Sequence, residues 1–132
     1  MITKISHIGI AVKDLDSAKK LYEELFQTSP SETEAIEEQK VKVVKFKLGV
    51  STIELLEPTS PDSPIAKFIE KRGEGIHHIS YESDNIQEDM NRLGSLGFEL
   101  INNEPSKGSD NMLIAFIKPR SASGVLTELC QH

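Results

Sequence analysis

The chain repeats itself, and this limits what it can fold into more than any other feature. Laying SHIGIAVKDLDSAKKLY (6–22) over HHISYESDNIQEDMNRL (77–93) puts His7 on His78, Ile8 on Ile79, Asp14 on Asn85, Leu15 on Ile86 and Tyr22 on Leu93, an offset of 71 residues. Further on, STIEL (51–55) lies over VLTEL (125–129), with Glu54 on Glu128 and Leu55 on Leu129, an offset of 74. Two ordered matches at nearly one offset describe two copies of a single supersecondary unit.

Each copy predicts the same order of elements. An apolar, β-branched run makes residues 3–12 a strand. Asp14 can cap a helix whose buried face is Leu15, Ala18, Tyr22 and Leu25. Strands follow near 29–36, 40–48 and 50–57. In the second copy 76–83 is a strand, Asn85 caps a helix bearing Ile86, Met90 and Leu93, and Gly97 stops it. Strands are expected near 98–103, 112–118 and 124–130. Between the copies, SPDSPIAKFIEKRGEG (60–75) holds a short helix with Ser63 as cap and Pro64 at its first position. The expected fold is α+β: two βαβββ modules whose mixed sheets curve around a shared cavity. With 132 residues this is one domain, with module one at 1–58, a connector at 59–75 and module two at 76–132.

Composition narrows the function. A net charge of −6 and the absence of tryptophan disfavour nucleic acid, which needs a basic face and stacking platforms. Local cations can still receive a small anionic ligand; Lys71, Arg72, Lys107, Lys118 and Arg120 are candidates, although exposed lysines are usually solvated surface. No apolar run is long enough to span a bilayer, so no membrane partner is expected. The N-terminus reads as a strand rather than a signal peptide. The single cysteine, Cys130, excludes an internal disulfide and suits a reducing, cytoplasmic setting.

Adjacent residues on a strand face opposite sides, so His77 and His78 cannot both enter one cavity. The repeat selects His78, the counterpart of His7, and the same overlay pairs Glu54 with Glu128. Both glutamates sit in otherwise apolar strands, TIELL and VLTEL, where a carboxylate is costly unless paired or coordinated. Two imidazoles and two carboxylates suit one divalent ion such as cobalt, manganese, nickel or zinc. Cys130, two residues beyond Glu128, shares its strand face and reads as a buried, inert thiol. His77 and His132 read as surface or edge residues.

Three stretches, HIGIAVKDLDSA (7–18), IELLEPTSPDSPIAKFIEKRGEGIHHISYE (53–82) and GVLTEL (124–129), carry a resemblance over nearly the whole chain. It resembles the vicinal oxygen chelate (glyoxalase/bleomycin-resistance) superfamily and, within it, the methylmalonyl-CoA epimerases. The long middle stretch is the specific part. The resemblance implies a homodimer of paired βαβββ modules, with a metal held by His7, Glu54, His78 and Glu128. It also implies a small acyl-CoA substrate whose C2 epimers interconvert through an enolate. A positive centre at the enolate oxygen lowers that barrier, and a carboxylate of raised pKa suits proton transfer; the resemblance makes Glu128 one such base. Some relatives place a second glutamate where this chain has Val43, which cannot move a proton, and Glu37 and Glu38 lie just upstream. The segment 104–125 departs from the epimerase pattern, with GSDN (108–111) and KPR (118–120) in place of a glycine-rich turn and a His-Pro-Lys. The alternatives are a glyoxalase-I-type isomerase of a thiol hemithioacetal, which could use the same ligands, and a non-catalytic binder of antibiotic type.

Overall fold

The computed structural model describes residues 1–132. Eight strands and three α-helices alternate along the chain in the order β1 (Ile2–Ala11), α1 (Leu15–Phe26), β2 (Glu34–Ile36), β3 (Val41–Leu48), β4 (Ser51–Pro58), α2 (Pro64–Arg72), β5 (Gly75–Ser83), α3 (Ile86–Ser95), β6 (Ser106–Lys107), β7 (Leu113–Ile117) and β8 (Thr127–Gln131). The strands form one mixed sheet in the order β2-β3-β4-β1-β5-β8-β7-β6. β5 runs parallel to β8, whereas β3 and β4, and β7 and β8, are antiparallel. This is the α+β class with two strand–helix–strands runs that the repeat predicts. No helix is long and apolar enough to cross a membrane. The chain divides into two compact units, Ile8–His77 and Met1–His7 with His78–His132, so the division falls inside β1 and β5.

In the unit Ile8–His77, Asp14 caps α1 by accepting from the Ser17 N–H at 3.3 Å. The helix lays Leu15, Ala18, Tyr22 and Phe26 on Val12, Val44, Phe46 and Leu55. Leu25, expected on that face, is instead 66% exposed. At about 100° per residue, position 26 lies closer than position 25 to the line through 15, 18 and 22. Helix α2 begins at Pro64 under the Ser63 cap, whose hydroxyl accepts from the Ile65 N–H at 3.2 Å. It covers a second cluster of Ala11, Val41, Val43, Leu56 and Ile65. Ser63 is wholly buried, so Ser63→Ala should cost about 1 kcal/mol, the usual worth of such a cap. Urea denaturation should show this as a lower midpoint at unchanged slope.

The other unit repeats the plan. Asn85 caps α3 through the Glu88 N–H at 3.1 Å, and Ile86, Met90 and Leu93 pack on Ala115, Ile117 and Leu129. The expected strand at 98–103 is reduced to a single bridge, Leu100 to Ile117. The segment does follow β7, with Ile101 N–H donating to the Phe116 carbonyl at 2.8 Å. The next partner of β7 is a side chain, however: Asn102 Oδ1 accepts the Phe116 N–H at 2.9 Å, so the ladder stops. The short β6, which the sequence did not suggest, forms beyond it. Gly108 follows β6 because a Cβ there would come within 2.9 Å of Ile114 Cγ2.

Helix coverage sets the faces. α1 rests on Leu55 and α3 on Leu129, and side chains alternate along a strand. Glu54 and Glu128, one residue earlier in each strand, therefore turn to the side away from the helix.

Candidate metal centre

Within the unit that joins Met1–His7 to His78–His132, three of the expected ligands meet. His7 lies near the middle of β1, His78 on β5 and Glu128 on β8, and their relative exposures are 3%, 5% and 5%. The two imidazole Nε2 atoms are 3.2 Å apart, with the rings edge-on at 89°. Glu128 Oε2 lies 3.0 Å from His7 Nε2, and Oε1 lies 3.8 Å from His78 Nε2. β8 brings Glu128 here by pairing with β5 in the register Ser80 to Glu128.

The arrangement has the character of a ligand set. Although His7 Nε2 is close to it, Glu128 Oε2 has no aligned hydrogen-bond donor and is fully buried. A buried carboxylate oxygen without a donor is costly, and the cost is relieved when the oxygen and both nitrogens share a cation. Histidine nitrogens bind such ions at about 2.0–2.1 Å, so two ligands subtending 90–110° stand about 2.9–3.4 Å apart. The separations of 3.2 and 3.0 Å fall in that range. Ser6 Oγ lies 3.2 Å from His7 Nδ1, where it can accept the Nδ1 proton and leave Nε2 with its lone pair outward. His7, Glu128 and Cys130 also offer donor atoms that all lie within 4.8 Å of one another.

The surroundings of Glu128 favour its charged form. Burial pushes the Glu128 carboxyl pKa up, but the adjacent His7 imidazole, the positive charge of His78 and His7 and the Ser80 hydroxyl outweigh it and hold it below the usual carboxylate range. The sequence argument favoured a raised value for a base; the direction found here is the opposite. Burial pushes the Cys130 thiol up, which keeps it protonated, as expected of an inert cysteine.

Glu54 belongs to the other unit. It is 5% exposed, faces Lys45 across the β3–β4 ladder, and has Lys45 Nζ at 4.0 Å from its Oε2. His77 packs edge-on against Phe68 of α2, with ring centroids 5.0 Å apart. His132 is an exposed partner of Glu82 at 3.3 Å. Val43 is buried in the apolar cluster under α2, and Glu37 and Glu38 lie exposed on a 3-10 turn. Of the basic candidates, Lys118 and Arg120 converge on Glu99, while Arg72 sits over the Phe68 ring.

Residues 6–116 match the model of the glyoxalase/bleomycin resistance protein/dioxygenase superfamily. An uncharacterised protein of Bacillus subtilis (strain 168) is 39% identical over 98% of this chain and 93% of its own length. The human mitochondrial methylmalonyl-CoA epimerase is 36% identical over 97% of this chain and 73% of its own. A variant of the Streptomyces coelicolor methylmalonyl-CoA epimerase, solved in complex with 2-nitronate-propionyl-CoA, superposes with a TM-score of 0.95 at 36% identity, covering 99% of this chain and 95% of that one.

Proposed function

Because the chain belongs to the glyoxalase/bleomycin resistance protein/dioxygenase superfamily, we propose that it is a metal-dependent methylmalonyl-CoA epimerase, an isomerase acting on an acyl-CoA thioester. The observation that carries this reading is the buried meeting of His7, His78 and Glu128 in a chain whose relatives include epimerases along nearly its whole length. One divalent ion per chain, cobalt, manganese, nickel or zinc, would be held by these three. Such an ion supplies Lewis-acid stabilisation to negative charge growing on the thioester oxygen.

The chain's own groups do the rest. His7 and His78 present their Nε2 lone pairs, and Ser6 at Nδ1 holds the His7 ring in the tautomer this requires. Burial excludes water, so a carbanion-like species generated here is not quenched indiscriminately. Glu128 moves the C2 proton on one face of the substrate. Val43 contributes no base, since its side chain is fully packed among apolar neighbours.

Incubating metal-loaded protein with (2S)-methylmalonyl-CoA in D₂O tests the reading. Deuterium should appear at C2 together with the other epimer. A loaded, folded protein that leaves C2 protonated would end it.

A further inference from the structure

Two buried side-chain atoms, Ser80 Oγ and Glu128 Oε2, have no aligned hydrogen-bond partner, and their residues stand in register across the β5–β8 ladder. Both belong to the unit that joins Met1–His7 to His78–His132. Ser80 is wholly buried. It follows His78 by two residues on β5, so it shares the strand face that carries that imidazole. Two groups lie near enough to take its proton in a hydrogen bond, the Glu128 carboxylate and the Cys130 thiol. A hydrogen bond to a charged acceptor is roughly twice as strong as one between neutral groups, and a thiol sulfur accepts weakly. The carboxylate is the better acceptor. Nothing in HHISYES (77–83) marks Ser80; only the register with β8 sets it beside a carboxylate.

An unpartnered hydroxyl in the interior is costly, and a carboxylate that holds a metal needs a donor of its own to fix its orientation. Each need answers the other. We propose that Ser80 is a positioning residue of the metal centre, its hydroxyl donating to the Glu128 carboxylate and holding it in the orientation that serves the ion. The inference rests on the metal-centre reading and adds to it a residue that acts through a ligand rather than as one. Ser80 already stabilises the charge of Glu128 from where it stands. A change among the staggered wells of its single heavy-atom torsion aligns the donor.

Calorimetric titration of the metal-free wild type, Ser80→Ala and Ser80→Thr with Co²⁺ tests this, alongside melting curves of the same metal-free proteins. Ser80→Ala should weaken Co²⁺ binding roughly 10–100-fold, the usual cost of losing a group that orients a ligand. Its metal-free melting temperature should not fall, since the hydroxyl it removes has no aligned partner there. That combination separates positioning from a merely structural role. Ser80→Thr, which restores a hydroxyl, should recover most of the affinity. A Ser80→Ala protein that binds Co²⁺ within about twofold of wild type overturns the proposal. So does a loss of metal-free stability large enough to account for the weaker binding, or a folded Ser80→Thr protein as weak as Ser80→Ala. If Ser80→Thr does not fold, the Ser80→Ala result decides alone. A wild type that binds Co²⁺ no better than Ser80→Ala leaves the metal-centre reading standing without Ser80, whereas a wild type that binds none overturns both.

Discussion

His78→Ala should lower the affinity for a divalent ion on the order of 100-fold or more, while His77→Ala should leave it within about twofold. The contrast follows from strand geometry. Neighbours on β5 point to opposite sides; His78 is buried with its Nε2 3.2 Å from His7 Nε2, whereas His77 lies against the Phe68 ring. Disturbing even the groups that orient a ligand costs about 10–100-fold in metal affinity, so deleting a ligand outright costs at least as much. His77→Ala loses an aromatic contact worth about 0.5–1.5 kcal/mol, which registers in stability and not in metal content. Binding should also weaken as pH falls, because protons compete for the imidazole nitrogens. Calorimetry on both variants, with melting temperatures measured in parallel, reads all of this. Equal loss in the two would sink the face assignment.

This contrast was legible in the sequence because it needs only a period of two and a repeat. The same holds for most of the fold. Caps at Asp14, Ser63 and Asn85 lie where short polar side chains precede apolar periods, and the structure uses all three. What could not be read depends on tertiary neighbours. Whether Leu25 or Phe26 completes the face of α1 turns on a small angular difference and on which rings are near: Phe26 meets both Tyr22 and Phe46. The segment near 98–103 has strand composition, but the Asn102 side chain takes the backbone donor that would have extended the ladder. At the site, residue types and the repeat picked out His7, His78 and Glu128, but not the direction of the Glu128 pKa shift, which depends on two imidazoles far away in sequence.

Glu128→Gln should separate holding the metal from moving the proton. Glutamine keeps a side-chain oxygen of similar reach, so the two imidazoles and one neutral oxygen can still bind a divalent ion, and metal content should remain within a few-fold of wild type. The amide cannot accept and return a proton at the pH of the reaction. Losing a general base typically costs about 10²–10⁴-fold, and epimerisation should fall by that amount. The substitution also removes a buried carboxylate whose Oε2 lacks an aligned donor, so thermal stability of the metal-free protein should not drop steeply, which separates a chemical defect from misfolding. Because Glu128 serves one face of C2, deuterium exchange should fail for one epimer first. Residual exchange into the other would reveal a second base despite the apolar packing of Val43. Measuring both epimers separately in D₂O, with metal content determined on the same samples, decides the matter. Near-normal epimerisation by metal-bound Glu128→Gln would show that Glu128 is a ligand alone and that the proton moves by another group.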